Sequence, residues 1–189
     1  MLHRVRTALI SAGACASAVA LALSGATPAA AVPYPDQDLV NKSDGGRLAL
    51  YGDSTAEGAH AVALRDPVYQ HRTEAWHGEQ TTVDGAVRFT LKNKAADKCL
   101  QPATDAAERK TRIVVKTCDG SRLQTWVLHP ERVGTAQTGW WMWRPLVNTD
   151  VAMTLDRYSD GAWSSLHLDT AYPSSDRLWK LGPDNAPWQ

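Results

Sequence analysis

The residues with the most distinctive chemistry in this chain are its cysteines, at positions 15, 99 and 118. Cys15 lies in an N-terminal segment with the pattern of an export signal, so a processed chain keeps Cys99 and Cys118 as an even pair. In an oxidising compartment this pair forms a disulfide, which stabilises the fold by about 3 kcal/mol on the chain-entropy estimate. Two thiolates also suit a metal, but no second cysteine pair or suitably spaced histidine completes a site. The sequence therefore predicts a Cys99–Cys118 disulfide and no metal.

The N-terminal segment, residues 1–31, has the features of a cleaved secretory signal. It begins with basic residues, continues with a small and apolar run over residues 8–23, and ends in three alanines, the last of them Ala31. The apolar run is shorter and weaker than a membrane span, so we expect no membrane insertion. A lipoprotein anchored through Cys15 is the alternative. Cleavage after Ala31 predicts a secreted, extracellular protein in which residues 32–189 form a single domain.

The charge of the chain excludes several classes of partner. The 20 basic and 20 acidic side chains give a formal net charge of zero. Loss of Arg4 and Arg6 with the signal leaves 18 basic against 20 acidic side chains. Because no basic run remains, neither nucleic acid nor an anionic membrane is an expected partner. We expect no cofactor.

A second stretch with possible chemistry is residues 51–58, in which Ser54 follows a plausible strand. Its Tyr-Gly-Asp-Ser-Thr-Ala-Glu-Gly sequence resembles the nucleophile block of GDS-type esterases, where a histidine held by an aspartate activates the serine. Those enzymes also carry a Gly-x-Asn-Asp block and an Asp-x-x-His near the C terminus, and this chain has neither. The alternating strands and helices of an α/β esterase are missing as well. An esterase that uses Ser54 is the least favoured alternative, and we expect no catalytic residue.

The elements that position these residues are short strands. Polar and apolar residues alternate over residues 47–51, 61–65, 87–91 and 166–169. A two-residue period places one side of each strand in a core. Asp-Gly pairs at 44–45, 84–85, 119–120 and 160–161 supply the positive φ angles that tight hairpins need. Many short strands with regular turns predict a barrel or a sandwich.

Three markers recur along the chain at a spacing of about fifty residues. They are the leucines Leu50, Leu100 and Leu155, the tryptophans Trp76, Trp126 and Trp179, and a Leu-x-Asn triplet at 39–41, 91–93 and 146–148. The gap from leucine to tryptophan is 26, 26 and 24 residues. These markers predict a three-fold repeat with units over approximately 36–83, 84–135 and 136–183, in which the leucines and tryptophans form the core.

The middle unit resembles the ricin B-type lectin domain. Cys99-Leu100, a second cysteine nineteen residues later, and Gln124-Thr125-Trp126 match the pattern of that family. The outer units keep the leucine and the tryptophan but lack both cysteines, and their Gln-x-Trp motifs are degenerate. The resemblance implies an all-β fold, a β-trefoil of three repeats of about fifty residues. It also implies a secreted, non-catalytic, carbohydrate-binding protein whose partner is a glycan or glycoconjugate.

The resemblance also implies where a sugar would bind. A sugar pocket needs an aromatic face for the C–H side of the ring and a carboxylate or amide for the hydroxyls. The acid of the family stands two residues after the first cysteine, where the middle unit has Gln101, the first Tyr51 and the third Asp156. The resemblance therefore implies a degenerate pocket in the third repeat, formed by Asp156, Asp169, Tyr172 and Asp176. The alternative is that these residues serve only turns and the barrel wall.

Two stretches suit a protein partner in place of a glycan. Residues 102–112 lack an apolar stripe and are predicted to form an exposed loop inside the disulfide ring. Its basic residues 109–112 are the candidate loop for a protease inhibitor with a trypsin-like target. Residues 140–143, Trp-Trp-Met-Trp, form one core face and one candidate contact face if they are a strand. An exposed aromatic face there would suit a toxin-type targeting subunit.

Overall fold

The computed structural model describes residues 30–65, 71–156 and 162–183. Nearly all of the predicted signal sequence lies outside these residues, as does the turn at 160–161. The described chain is all-β, with three short 3-10 helices, Tyr51–Asp53, Arg122–Gln124 and Ser175–Arg177. Its strands are β1 Val32–Asn41, β2 Arg47–Leu50, β3 Ala61–Leu64, β4 Trp76–Val83, β5 Ala86–Asn93, β6 Lys98–Pro102, β7 Ile113–Thr117, β8 Trp126–Val133, β9 Ala136–Pro145, β10 Val151–Leu155, β11 Trp163–Thr170 and β12 Leu178–Pro183. Among the described residues, no helix has the length and apolar character to span a membrane.

Six of the strands close into a barrel. β1 pairs with β4 and β12, β4 with β5, β5 with β8, β8 with β9, and β9 with β12, so the ring has no free edge. The other six strands form three hairpins, β2–β3, β6–β7 and β10–β11. Each run of four strands, β1–β4, β5–β8 and β9–β12, contributes two barrel strands and one hairpin. This architecture confirms the predicted β-trefoil of three repeats.

The turn between β4 and β5 consists of the Asp-Gly pair at 84–85. Val83 lies opposite Ala86, so Asp84 and Gly85 alone make the turn. Both have positive φ angles, 52° and 77°, which is the conformation of a two-residue hairpin with the twist of the adjoining strands.

Three tryptophans, one from each repeat, lie at equivalent places in the core. Trp76, Trp126 and Trp179 are completely buried. Each indole Nε1 donates to a main-chain carbonyl in its own repeat: to Leu48 at 2.8 Å, to Leu100 at 3.1 Å and to Met153 at 3.1 Å. A buried indole needs such a partner because an unpaired N–H is costly away from water. These bonds make Leu48, Leu100 and Met153 the equivalent residues of the three repeats.

This equivalence corrects the alignment that the sequence predicted through Leu50, Leu100 and Leu155. Leu50 and Leu155 lie two residues beyond the equivalent positions, at the ends of β2 and β10. Both are nevertheless buried, at 1% and 5% exposure. A shift of two residues along a strand keeps the side chain on the same face, so the core pattern alone does not reveal it.

The Leu-x-Asn marker is correct in two repeats and wrong in the third. Asn41 and Asn93 lie opposite Trp179 and Trp76, but the residue opposite Trp126 is Pro145, not Asn148. Asn148 instead donates to the carbonyl of Ala107 at 3.1 Å.

The same register corrects the expectation for residues 140–143. Trp143 occupies the place of Leu39 and Leu91 and is 1% exposed, in contact with the edge of Phe89. Its neighbour Met142 points to the other face and is also 1% exposed, because it packs with Ala152 and Leu178 in a second apolar cluster. Met142 and Trp143 are therefore covered by the protein itself, whereas Trp140 and Trp141 are half-buried and Trp141 lines a pocket of about 290 Å³.

The disulfide forms between Cys99 in β6 and Cys118 just after β7, with a Cα–Cα distance of 5.0 Å. The ring that it closes contains residues 103–112, which have no regular secondary structure beyond an isolated bridge at Arg112. Most of these residues are exposed, as predicted for a loop, but Ala107 is completely buried. The ends of this loop pair through the amide of Ala103 and the carbonyl of Arg112, and its middle is anchored to the third repeat by the buried Ala107, whose carbonyl accepts from Asn148.

Candidate functional site

A pocket of about 550 Å³ lies on the third repeat, beside β10 and β11 and the turn that follows them. The four residues that the family resemblance implies, Asp156, Asp169, Tyr172 and Asp176, all line it. The tertiary structure therefore brings the predicted residues together. Their interactions decide which of them can meet a ligand.

The second repeat supplies one wall of the pocket through the loop 103–112. The amide of Lys110 donates to the carbonyl of Leu168 at 2.7 Å, and the amide of Leu168 donates to the carbonyl of Thr111 at 2.8 Å. Arg109 adds a bond from Nε to Asp169 Oδ1 at 2.7 Å. These contacts place the side chains of Lys110 and Arg112 at the edge of the pocket.

Arg177 organises the floor of the pocket. Its side chain is nearly fully buried and donates from Nε to the carbonyl of Thr170 at 2.9 Å. Nη1 donates to Asp176 Oδ2 at 2.8 Å and to the hydroxyl of Ser174 at 2.9 Å, and Nη2 lies 3.2 Å from Asp169 Oδ2. A buried guanidinium is stable only when its donors are paired in this way. Arg177 therefore fixes both carboxylates.

Asp169 and Asp176 are held by protein groups. Asp176 is 3% exposed and accepts from Arg177 and from the hydroxyl of Ser174. Asp169 accepts from Arg109, Arg177 and the amide of Thr170. Although burial raises the pKa of Asp169, the hydrogen bond from Arg109 and the other donors hold it below its ordinary value. Both carboxylates are thus already engaged by arginine side chains of the protein.

Tyr172 presents an aromatic ring at the rim. The residue is 48% exposed, and the Cζ of Arg177 lies 4.1 Å from its ring centroid. A guanidinium this close to the ring face is attracted by the electrons of the ring and holds the ring in place. The exposed part of the ring is then free to stack on a ligand.

Asp156 follows directly after β10, and its amide donates to the carbonyl of Ser165 at 2.9 Å. The sequence alignment placed it at the position of Gln101, but the tryptophan bonds put Thr154 there. Thr154 is 2% exposed and its hydroxyl donates to the carbonyl of Ala152. Asp156 lies two residues farther along, on the same side of the strand, and lines the pocket from there.

Arg177 is the functional residue that the sequence analysis missed. It stands where the middle repeat has Gln124, two residues before the core tryptophan. Gln124 Nε2 donates to the carbonyl of Thr117 at 2.9 Å, which is the same bond that Arg177 makes to Thr170. The available signal was the replacement of the glutamine by a longer, charged donor in the repeat that also carries the acids.

The residues of the alternative enzyme site do not form a catalytic arrangement. The hydroxyl of Ser54 accepts a hydrogen bond from the amide of Ala56 at 3.3 Å. The carboxylate of Asp53 bonds Arg72 and the amide of Thr73. Within the described residues, no histidine is hydrogen-bonded to Ser54, and no three His, Cys, Asp or Glu side chains cluster as a metal site.

The main chain of the candidate inhibitor loop is already hydrogen-bonded within the protein. A protease inhibitor offers an extended loop whose main chain pairs with the protease cleft. Here the main chain of Lys110 and Thr111 already pairs with Leu168 of β11. The loop is a wall of the pocket and does not project from the surface in the required way.

Comparison with known proteins finds similar structures but no similar sequence family. No protein-family model matches the sequence, and no curated protein matches it. The Rhizoctonia solani agglutinin shares 14% identity over 84% of this chain and 98% of its own, with a TM-score of 0.59. A chain of the cytolethal distending toxin from Actinobacillus actinomycetemcomitans shares 18% identity over 81% and 94%, with a TM-score of 0.63.

A third similar structure is the Polyporus squamosus lectin bound to the epitope Neu5Acα2-6Galβ1-4GlcNAc. It shares 15% identity over 83% of this chain and 50% of its own, with a TM-score of 0.57. This chain thus spans about half of that lectin. The similarities to these three structures support the β-trefoil fold of this protein.

Proposed function

We propose that this protein is a secreted, non-catalytic, carbohydrate-binding protein and that the third-repeat pocket binds the sugar. The observation that carries the proposal is the arrangement of Tyr172 and Asp156 around one pocket. An exposed aromatic ring and a carboxylate that line one pocket are the groups that sugar recognition needs. The fold similarity to an agglutinin and to a lectin with a bound glycan supports it.

The two residues have different tasks. The Tyr172 ring, held from one side by Arg177, stacks on the apolar C–H face of the sugar. Asp156 accepts hydrogen bonds from the sugar hydroxyls, and such charge-assisted bonds contribute about 1.5–3 kcal/mol. Affinity for a single monosaccharide is weak because a shallow pocket buries few atoms.

A glycan array probed with residues 32–189 tests the proposal. We expect binding to a restricted group of glycoconjugates, and we expect a soluble form of the same sugar to compete. An array on which no glycan binds above background would contradict the proposal.

A second candidate is binding to a protein, as in a toxin-type targeting subunit. The fold similarity to the chain of the cytolethal distending toxin favours it. The two candidates differ in what deglycosylation does to an immobilised glycoprotein target. Enzymatic removal of the glycans abolishes binding by a lectin and leaves binding to the polypeptide unchanged.

A further inference from the structure

A second, smaller pocket of about 190 Å³ lies beside the first, where the three hairpins meet. All three repeats line it: Tyr51 and His60 come from the first, Arg112 from the second, and Trp163 and Leu166 from the third. The second pocket therefore has residues from all three repeats, whereas the first has residues from the second and third. Its volume suits one sugar ring.

The second pocket has an aromatic wall. The rings of Tyr51 and Trp163 meet edge to face with centroids 4.8 Å apart. Tyr51 is 52% exposed, although apolar rings of this size usually find cover. Two rings that brace each other at the surface form a rigid platform for the C–H face of a sugar.

The two pockets are adjacent, because Arg112, Ser165 and Leu166 line both of them. Tyr172 lines the first pocket and Tyr51 lines the second. A chain of linked sugars can therefore occupy both pockets, with Arg112 beside the linkage between them.

The boundary between the two pockets carries the exposed cation of Arg112, and Lys110 lies at the edge of the first pocket. Lys110 and Arg112 are exposed at this edge, and within the described part of the chain neither forms an ion pair. The Arg112 side chain has one polar contact there, from Nη1 to His60 Nδ1 at 3.5 Å. Of the acids that line the first pocket, Asp169 and Asp176 pair with Arg109 and Arg177, and Asp156 lies half-buried after the end of β10. A carboxylate on the ligand would pair with Arg112 in the way that guanidinium groups favour.

We propose that the second pocket is a subsite for the adjoining unit of an acidic oligosaccharide. In this arrangement Tyr51 and Trp163 stack on the second sugar, and Arg112, supported by Lys110, binds the carboxylate. This inference rests on the proposed function of the first pocket. It adds a ligand class, a carboxylate-bearing glycan of at least two units, and a site at the junction of the repeats.

The experiment uses an array that holds each acidic oligosaccharide, sialylated or uronic, beside its neutral counterpart and its constituent monosaccharides. We expect the strongest binding for acidic glycans of two or more units. The oligosaccharide that binds most strongly is then titrated with the wild-type protein and with each protein variant. Tyr51→Ala should weaken binding of the oligosaccharide roughly two- to tenfold and leave the monosaccharide unchanged. Arg112→Gln should remove the preference for the acidic member of each pair.

Two controls separate this inference from the proposed function. Tyr172→Ala, in the first pocket, should weaken monosaccharide and oligosaccharide alike. Arg122→Gln, which changes an exposed arginine outside both pockets, should change neither. If Tyr51→Ala binds the oligosaccharide like the wild type while Asp156→Asn does not, the second subsite is disproved and the first stands. If the wild type binds no glycan on the array, both proposals fall.

Discussion

Arg177 and Tyr172 form the central contact of the third-repeat pocket, with the guanidinium carbon 4.1 Å from the centroid of the ring. The same guanidinium donates to Asp176 and Asp169 and to the carbonyl of Thr170. One buried side chain therefore fixes an aromatic ring and two carboxylates. In the middle repeat the equivalent Gln124 bonds the carbonyl of Thr117, the amide of Asp119 and the side chain of Gln101, and none of these bonds involves a carboxylate or an aromatic ring. Arg177 in the third repeat thus lines a pocket that suits a ligand, whereas Gln124 in the second repeat serves only to hold the protein's own structure.

Asp156→Asn should weaken binding to an immobilised glycan by roughly ten- to a hundredfold, which corresponds to the loss of a charge-assisted hydrogen bond. Titration of wild type and variant on one glycan surface measures this. The change keeps the size and shape of this half-buried side chain, so the melting temperature should change less than the affinity for the glycan. The control is Asp105→Asn, an equal change of charge in an exposed loop, which should bind like the wild type. Equal binding by both variants would show that Asp156 is not the acceptor.

Arg177→Ala should lower the free energy of unfolding by about 3–5 kcal/mol, because it removes the guanidinium that neutralises the buried carboxylate of Asp176. Denaturant unfolding of wild type and variant measures the loss. Arg177→Gln should be milder, since a glutamine can keep the bond to the carbonyl of Thr170 that Gln124 makes to Thr117. Addition of Asp176→Asn to Arg177→Ala should restore part of the stability, since it removes the stranded charge. A double variant less stable than Arg177→Ala would refute this account.

The Cys99–Cys118 bridge should be found in a peptide map made under non-reducing conditions. Its removal by Cys99→Ser with Cys118→Ser should cost about 3 kcal/mol of unfolding free energy, as expected for a loop of this length. Denaturant unfolding with and without a reducing agent gives the same comparison on the wild type, and the double variant should not respond to the reducing agent. Free thiols at both positions in the exported protein would contradict the bond.

Asp169 should contribute to the acid sensitivity of the fold. Its pKa is held below the ordinary value in the folded state, against the effect of burial, chiefly by the bond from Arg109. A lowered folded-state pKa means that the contribution is present above the ordinary value of about 3.9 and is lost as pH falls through the lower folded-state pKa. Asp169→Asn should therefore flatten the loss of stability below about pH 4. Melting temperatures measured from pH 7 to pH 2 test this, and a wild-type slope in the variant would contradict it.

The sequence alone predicted the fold because the features that specify a β-trefoil are local and repeated. Alternation along short strands, Asp-Gly turns such as Asp84-Gly85, and a tryptophan at the same place in each repeat all have signals within a few residues. The Cys99–Cys118 pair follows from the count of cysteines and the pattern of export. These properties depend on residue type and period, which are visible in the chain.

The details of the pocket were decided by contacts between distant parts of the chain. The position of Asp156 was misaligned by two residues, and a period of two cannot detect a shift of two because the side chain stays on the same face. The contacts of Arg177 with Asp169 and Tyr172 join residues close in sequence, but the alternation pattern carries no sign of which side chains the turn after β11 brings together. The loop that carries Lys110 belongs to the second repeat, yet its main chain pairs with Leu168 of the third. No local pattern encodes such a crossing, because it arises only when closure of the barrel brings neighbouring repeats side by side.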